Sequence, residues 1–218
     1  MELLKATGVE KAYGNLQVLK GIDLTVEKGQ VMSVVGASGA GKSTLLHILG
    51  TLDKPDQGEL MIQGKRTEKM NTNQLARFRN QEIGFIFQFH NLLPEFTALE
   101  NVMIPAYLGD QNGRNIEAEA LSLLGKLGVD ARASHKPSEL SGGEQQRVAV
   151  ARSLINRPAV VFADEPSGNL DSKNAQELHQ LFFDLRDDLE QTFVIVTHNS
   201  TLADMADRKI EIIDGKIT

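Results

Sequence analysis

The feature that most constrains this chain is the segment from Gly36 to Ser43, which reads Gly-Ala-Ser-Gly-Ala-Gly-Lys-Ser. It fits the phosphate-binding pattern G-x-x-x-x-G-K-[ST] at every fixed position. Residues 31–35 before it are a short apolar run typical of a buried strand, and residues 43–49 after it are typical of a helix. A loop in that setting directs backbone N–H groups and a helix N-terminus at phosphate oxygens. The sequence therefore predicts a nucleoside triphosphate site in an α/β fold.

Two side chains of this phosphate loop have specific predicted roles. Lys42 would reach the β- and γ-phosphates, and the hydroxyl group of Ser43 would bind Mg²⁺. An ordinary glycine-rich turn is the alternative, but the lysine, hydroxyl, strand and helix are all in register. We therefore predict that the following residues bind the nucleotide: Gly36, Ala37, Ser38, Gly39, Ala40, Gly41, Lys42, Ser43 and Thr44.

Composition narrows the class of protein. The 218 residues are enough for one sizeable α/β domain. A net charge of −6 provides no basic surface for nucleic acid, and the lack of cysteine excludes disulfides and thiolate metal sites. The first residues lack the pattern of a signal peptide, and no apolar run approaches the ~18 residues of a membrane span. We expect a protein of a reducing compartment that meets a membrane only through a partner.

Strand and helix patterns alternate over most of the chain, which predicts a mainly parallel sheet with helices on both faces. An N-terminal antiparallel β subdomain is expected because a Gly14-Asn15 turn joins the first two strands. Residues 89–157 have helical periodicity with breaks at Pro94, Pro105, Gly113 and Pro137, which indicates a helical insertion. We predict a single domain over 1–218, with a nucleotide-binding core at 1–88 and 158–218. The first of the two N-terminal strands runs through Tyr13, and the second is 18–26. The other predicted strands are 31–35, 58–62, 83–87, 159–163, 193–197 and 210–213, and the predicted core helices are 43–49, 73–81 and 174–189.

Two carboxylates, Asp164 and Glu165, follow the apolar strand pattern at 159–163. Ligands of open α/β sheets lie beyond the carboxyl ends of the strands. Asp164 is therefore predicted to help hold Mg²⁺, and Glu165 to polarise the attacking water. Such a pair alone is more often a strand end before a solvated loop, but its company with a phosphate loop favours the catalytic interpretation.

The segment from Leu140 to Arg147 reads Leu-Ser-Gly-Gly-Glu-Gln-Gln-Arg. Ser141 and Glu144 form a capping-box pattern for a helix, but capping does not explain Gly142 and Gly143. A glycine inside a helix is about 1 kcal/mol less favourable than alanine. It makes sense where a ligand approaches bare backbone N–H groups. A second phosphate-binding surface in the same chain predicts one nucleotide held between two copies.

Leu140–Arg147 resembles the signature motif of ABC proteins, close to the common form with Gln at position 144. With the phosphate loop, the Asp164–Glu165 pair and the motifs below, the whole chain resembles a single ABC-transporter ATPase subunit. The resemblance implies ATP and Mg²⁺ as cofactors and a head-to-tail dimer with two ATPs at the interface. Each ATP would meet the phosphate loop of one copy and Ser141, Gly142 and Gly143 of the other.

The same resemblance assigns four further residues. Tyr13 would stack on adenine, where the alternative is a core tyrosine of a strand. Gln88 would bind Mg²⁺ or the attacking water, His198 would contact the γ-phosphate, and Asp171 lies in a nucleotide-binding loop. The chain has Asn199 and Ser167 where Asp and Thr are common in the family, and neither change removes a group that the chemistry needs.

The stretch Phe89–Val102 is unusually apolar for the start of a helical lobe. It is either lobe core or a groove for a transmembrane permease subunit. It is similar to the ATPases of the lipoprotein-releasing branch of the family, with macrolide exporters and cell-division ATPases as related alternatives. A soluble ABC ATPase of DNA repair or translation is a competing class. The resemblance implies a peripheral protein at the cytoplasmic face of the inner membrane.

Overall fold

The computed structural model describes residues 1–109 and 113–218. Four strands in the N-terminal third of the chain form one antiparallel sheet, whereas the strand Val31–Val35 between them in sequence belongs to the central sheet. These strands are β1 (Glu2–Tyr13), β2 (Leu16–Glu27), β4 (Gln57–Ile62) and β5 (Lys65–Arg66), in the order β2-β1-β4-β5. This sheet is the β subdomain that the turn at Gly14-Asn15 predicts, with the two-residue β5 as an unpredicted edge strand.

The central sheet has the order β10-β9-β3-β8-β7-β6. Neighbouring strands from β9 to β6 pair in parallel, and β10 is antiparallel to β9. The carboxyl ends of β3, β8, β7 and β6 therefore meet at one edge of the sheet. The bounds are β3 (Val31–Val35), β6 (Ile83–Phe87), β7 (Val160–Asp164), β8 (Thr192–Val196), β9 (Arg208–Ile213) and β10 (Lys216–Ile217).

Seven α-helices lie in the described residues, and the expected mixed fold with a helical insertion is confirmed. None of these helices, in the residues with described positions, has the length and apolarity to cross a bilayer. The short helix that follows β8 was not predicted. The bounds are α1 (Lys42–Leu49), α2 (Thr72–Glu82), α3 (Ala98–Tyr107), α4 (Ile116–Lys126), α5 (Gly142–Leu154), α6 (Ser172–Leu189) and α7 (Ser200–Met205).

The central sheet is buried on both faces, as the continuous apolar runs of its strands indicate. Alternate residues of β7 enter different cores, because successive side chains of a strand point to opposite faces. Val161 and Ala163 pack among helices α3 to α7. Val160 and Phe162 pack with α1 and the antiparallel sheet. One face is thus covered by helices alone, and the other by α1 together with the β subdomain.

The insertion differs from its predicted pattern in two places. Residues 88–97 contain no helix, and α3 begins only after Thr97, which forms a capping box with Glu100. Pro105 was expected to break a helix but lies inside α3. The missing N–H affects only the last turn, and the Pro105 carbonyl accepts bonds from Asn80 and Asn156 at 2.9 and 3.0 Å. Residues 110–112 of the insertion lie outside the described part of the chain.

Candidate functional site

The phosphate loop is fixed by backbone contacts that only glycine permits. Gly36 has a φ of +146°, and a Cβ there would overlap the carbonyl oxygen of Ile212 in β9. Gly41 has a φ of +106°, caps the N-terminus of α1, and would place a Cβ 2.9 Å from the side chain of Leu19. Both are left-handed conformations that favour glycine. The loop is therefore held against two neighbouring strands while its tip, Ala37 to Gly39, is exposed.

The loop contacts the first predicted carboxylate. Ser43 Oγ donates to Asp164 Oδ1 at 3.2 Å, so two of the predicted metal ligands lie together. Lys42 Nζ donates to the carbonyl oxygens of Gly36 and Ala37, each at 2.9 Å, and so lies over the loop. The helix that follows presents its N-terminal N–H groups to the same place, which favours an anion there.

The donor set beside the loop suits Mg²⁺ that is bound together with a nucleotide. Burial raises the pKa of the Asp164 carboxyl, and the bond from Ser43 offsets this in part. A carboxylate and a hydroxyl are oxygen donors of the kind that Mg²⁺ prefers, with waters and substrate phosphates completing its octahedron. No group of three His, Cys, Asp or Glu residues in the described ranges could form a cage by itself. The residues present therefore fit the ion when phosphate oxygens share it.

Glu165 is held in an unusual backbone conformation. Its φ is +46°, a left-handed value that costs a non-glycine residue about 1–3 kcal/mol. Its N–H donates to Val196 O at 2.9 Å, which ties it to β8. The carboxylate, 18% exposed, accepts the His198 N–H at 3.2 Å and lies 2.9 Å from His198 Nδ1. The structure thus pairs the predicted base with the predicted histidine, whose side chain is 72% exposed.

Gln88 is tied to the loop that follows Glu165. Its Nε2 donates to Asn169 Oδ1 at 3.1 Å, and Asn169 Nδ2 donates back to the Gln88 carbonyl at 3.0 Å. A Cβ on Gly168 would come within 2.9 Å of Gln88 Nε2. Sequence reasoning singled out Gln88 but missed Asn169 and Gly168. Their signal, a Gly-Asn pair in a loop, is too common to identify a partner.

Asp171 caps helix α6, a role that sequence reasoning did not give it. It accepts the Asn174 N–H at 2.9 Å and the Asn174 side-chain amide at 2.6 Å. These bonds lower the pKa of the Asp171 carboxyl. The chain thus has a structural use for this carboxylate, and its contact with nucleotide stays a prediction.

The two family departures keep the groups that the local structure uses. Ser167 Oγ lies 2.9 Å from Nε2 of His179, a buried residue whose pKa is lowered by desolvation. Asn199 caps α7 by accepting the Leu202 N–H at 3.0 Å. Thr also carries a hydroxyl, and Asp caps helices as well as Asn does. The structure is consistent with the expectation that both substitutions are mild.

Tyr13 lies at the end of β1 and is 51% exposed, so the alternative of a core tyrosine is wrong. Its hydroxyl donates to Asp53 Oδ2 at 2.7 Å, and this bond raises the pKa of the phenol. The ring is accessible to a flat ligand. Its stacking on adenine stays a prediction.

The signature segment, Ser141–Gly143, opens helix α5 with the predicted capping box. Ser141 N–H donates to Glu144 Oε2 at 2.7 Å, and Glu144 N–H donates to Ser141 Oγ at 3.3 Å. The two glycines differ. A Cβ on Gly143 would lie 2.6 Å from Asn174 Oδ1, so any side chain there would displace the Asn174 amide, and packing in this chain already favours glycine. Gly142 is exposed and a Cβ would meet only Leu170, at 3.7 Å. Packing therefore does not explain Gly142, and approach of a ligand to its bare backbone does.

Helix α5 also holds the segment after Gln88. His90 and Asn91 both have positive φ values, +56° and +50°. The Arg152 guanidinium donates to their two carbonyl oxygens at 2.6 Å, and His90 Nδ1 contacts Gln146 Oε1. Sequence reasoning missed these residues, because an arginine on an amphipathic helix is usually solvated. The helix that begins at the signature segment is thus bonded directly to the segment that begins at Gln88.

Known proteins share this arrangement. The family profile described as "ABC transporter" matches residues 19–168. The lipoprotein-releasing system ATP-binding protein LolD of Cytophaga hutchinsonii is 64% identical over 99% of both chains, and that of Bacteroides thetaiotaomicron is 59% identical over 99% of both. A dimeric post-hydrolysis structure of the ATP-binding cassette MJ0796 with ADP and Pi superposes with a TM-score of 0.89. It is 39% identical and covers 99% of this chain and 96% of its own.

The matched profile includes the phosphate loop, the signature segment and the Asp164–Glu165 pair, and the relatives cover the chain from end to end. The fold and the comparisons therefore agree on the family. The chain belongs to the ABC transporter family and is one of its ATP-hydrolysing subunits.

Proposed function

We propose that Glu165 is the base in ATP hydrolysis by this subunit. The observation that carries the proposal is the contact of Ser43 with Asp164, which joins the phosphate loop to the last residue of β7, directly before Glu165. In the proposed reaction a water attacks the γ-phosphorus of ATP and the bond to the β–γ bridging oxygen breaks. Glu165 accepts a proton from the water, and ADP and phosphate leave.

His198 and Gln88 are proposed to orient the reacting groups. His198 lies 2.9 Å from the Glu165 carboxylate and is exposed on its other side, where it can contact the γ-phosphate. Gln88 is held by Asn169 next to the same carboxylate-bearing loop. Mg²⁺ would neutralise charge on the phosphates, held by Ser43, Asp164 and Gln88. The first test is phosphate release by the purified subunit with ATP, with and without Mg²⁺. Equal rates in EDTA would contradict the proposed ion.

We further propose that two copies bind ATP head to tail. The support is the difference between the phosphate loop, which contacts Asp164, and the signature segment, which has an exposed Gly142 and no packing reason for it. The similar cassette MJ0796 forms a dimer in its structure with ADP and Pi. In the proposed dimer, Ser141 and the backbone N–H groups of Gly142 and Gly143 of one copy contact the γ-phosphate on the other.

A transmembrane permease subunit is proposed to dock beside Gln88. Three apolar side chains of the Phe89–Val102 stretch are well exposed, namely Phe89 at 74%, Leu93 at 43% and Phe96 at 41%. Asn91 of the same stretch lines a groove of about 430 Å³ whose walls include Phe85, Phe87 and Pro105. Ala98, Asn101 and Val102, at the start of α3, are fully buried. The docking surface is thus proposed to be the exposed loop and groove, while the start of α3 is lobe core.

Release of lipoproteins from the inner membrane is the proposed task of the assembled transporter. The support is the shared name of the most similar relatives, which match this chain over nearly its full length. The subunit would lie at the cytoplasmic face, held there by its permease. The test is to purify the tagged subunit from its native membrane, identify the membrane protein that accompanies it, and reconstitute the pair in vesicles. ATP-driven release of an acylated protein is expected. Hydrolysis without such release would favour a macrolide-exporter-like or cell-division complex.

A further inference from the structure

A polar cluster connects the strand that carries Tyr13 to the turn after α1, the helix that follows the phosphate loop. Tyr13 donates its hydroxyl to Asp53 Oδ2 at 2.7 Å. Lys11 Nζ donates to the other oxygen, Asp53 Oδ1, at 2.9 Å and to the Lys54 carbonyl at 2.7 Å. Lys11 and Tyr13 lie on β1, whereas Asp53 follows the end of α1. One carboxylate therefore joins the aromatic ring to the turn after α1, and the Asp53 N–H ties this turn to α1 by donating to the His47 carbonyl at 3.2 Å.

The cluster is built as a firm connection rather than a surface contact. The Lys11 side chain is only 10% exposed, and Asp56 lies 3.7 Å from its ammonium group as a second carboxylate. The bond to Asp53 raises the pKa of Lys11 above its ordinary value. A charge this well buried needs its partner, because an unpaired one is strongly destabilising. Hydrogen bonds between charged groups are also about twice as strong as neutral ones.

The same lysine lies over the Tyr13 ring. Its Nζ is 5.3 Å from the ring centroid, within the range of a cation–π contact. The hydroxyl is fixed by Asp53 and one side of the ring by Lys11, yet half of the residue is exposed to solvent. An aromatic ring with its orientation set and its open face in solvent is a preformed stacking surface. Binding to it requires less ordering of the side chain than binding to a free ring.

We infer that Lys11 and Asp53 are positioning residues that hold the Tyr13 ring at a fixed offset from the phosphate loop, so that the base of a nucleotide stacks on it. The inference rests on the proposed function, since it concerns the same nucleotide. A single nucleotide must reach both the ring and Lys42, and the cluster sets the separation between them. Stacking is tolerant of the base, so the contact adds affinity for a nucleoside rather than choice among bases.

Tyr13→Phe is the decisive variant, because it keeps the ring and removes only the bond to Asp53. We expect the dissociation constant for ATP and the KM to rise about two- to tenfold, the effect of one net hydrogen bond. The kcat at saturating ATP should not change, because the phosphate-contacting residues are intact. Affinity for inorganic tripolyphosphate, which has no base, should also stay the same. Tyr107→Phe, on an exposed tyrosine of α3, is the matched control and should alter neither ligand.

Asp53→Asn tests the second residue and a double-mutant cycle tests the connection. Asp53→Asn should weaken ATP and spare tripolyphosphate, as Tyr13→Phe does. If both act through one bond, the combined variant should lose clearly less affinity than the product of the two single losses. Each variant's melting temperature checks that the fold is kept.

The outcomes separate this inference from the proposed function. Wild-type protein that fails to bind ATP would contradict both. Normal ATP binding by the wild type with unchanged affinity in Tyr13→Phe would overturn the positioning role alone. An equal loss of ATP and tripolyphosphate affinity would also overturn it, since the cluster would then act on the phosphate loop and not through the ring. Fully multiplicative losses in the cycle would remove Asp53 from the connection.

Discussion

The two glycine-rich segments of this chain, the phosphate loop and the signature segment, are built differently. The phosphate loop contacts Asp164, and its Gly36 and Gly41 are required by neighbouring strands. The signature segment begins a helix, satisfies its own cap, and exposes Gly142 without an evident local need. Contacts within one chain therefore explain the glycines of the phosphate loop, but they do not explain Gly142 of the signature segment.

The loop between Glu165 and α6 lies between the two. On one side Gly168 and Asn169 contact Gln88. On the other side Leu170 of the loop and Asn174, in the first turn of α6, are the residues that a Cβ at Gly142 or Gly143 would meet. In the proposed dimer, each copy has a catalytic half, which is the phosphate loop with Glu165, and a presenting half, which is the signature segment, and this loop lies between them. A change in either half can therefore reach the other through a few direct contacts.

The largest expected effect falls on the catalytic half. Glu165→Gln should lower turnover by about 10²–10⁴-fold, the usual loss when a positioned base is removed. ATP affinity should be nearly unchanged, because the phosphate loop does not need this carboxylate. Single-turnover phosphate release and equilibrium ATP binding measure the two quantities. Near-normal hydrolysis would exclude Glu165 as the base.

A change in the presenting half should lower the rate of ATP hydrolysis and leave the ATP affinity of the monomer unchanged. Gly142→Asp places a carboxylate where the partner's γ-phosphate is proposed to lie, and turnover should fall by about 10²-fold, as when one donor to a reacting oxygen is lost. The fold should tolerate it, since a Cβ at this position meets only Leu170 at 3.7 Å and an acid suits a helix N-terminus.

Gly125→Asp is the matched control for that variant. Gly125 lies in α4, and a Cβ there would meet no atom within 4 Å. It adds the same charge to an open helical position away from the nucleotide site. Equal loss of turnover in both variants would indicate a general effect of charge on the protein, and normal turnover in Gly142→Asp would contradict the shared site.

Adjacent leucines near Gln88 separate docking from folding. Leu93 is 43% exposed and its backbone is held by Asn101, whereas Leu92 packs against the helical core. Leu93→Asp should weaken permease binding by about tenfold or more, as at an interface hot spot, and leave basal ATPase unchanged. Leu92→Asp should lower the melting temperature. Co-purification, ATPase and thermal unfolding measure the three effects, and loss of folding in Leu93→Asp would make this residue lobe core.

The smallest expected effect concerns the capping residue of the signature helix. The Ser141 N–H and Arg132 lower the pKa of Glu144 to about 2 from an ordinary 4.5. The unfolded chain thus binds more protons between these values, so stability contributed by the charged form is complete above pH 4.5 and lost as pH falls toward 2.

Glu144→Gln, the common form in the family, keeps an acceptor for the cap but loses the charge. It should be less stable than wild type by about 1–2 kcal/mol at neutral pH, a value reduced for the partial exposure of this carboxylate. Denaturant unfolding of both proteins from neutral pH down to acid conditions measures the difference, which should shrink below pH 4.5. A constant difference would assign it to packing rather than to charge.

Local patterns predicted much of this molecule. The phosphate loop, the strand before Asp164 and the Ser141–Glu144 capping box each follow from residues adjacent in sequence. The prediction of a helix break at Pro105 was wrong, because the proline lies in the last turn of α3, and its carbonyl accepts bonds from Asn80 and Asn156, which belong to distant elements. Contacts of this kind link positions far apart in the chain, and a single sequence contains no signal for such pairs.

The residues of the candidate site were also predicted only in part. Glu165 was predicted from its place at the end of a strand, since parallel strands bring such residues to one edge, whereas Gln88 and His198 were assigned by the resemblance to ABC proteins. Asn169, which joins Gln88 to the loop, and Asn174, which excludes a side chain at Gly143, were missed. Both act through side-chain geometry across elements, which residue type and spacing do not specify.

Light scattering on Glu165→Gln with and without ATP tests the central claim, the division of one site between two copies. We predict a monomer without nucleotide and a dimer with saturating ATP, and the dimer fraction should rise as protein concentration rises. The combined variant Glu165→Gln, Gly142→Asp should bind ATP and stay monomeric. A Glu165→Gln protein that remains a monomer with ATP bound, up to the highest soluble concentration, would contradict the account.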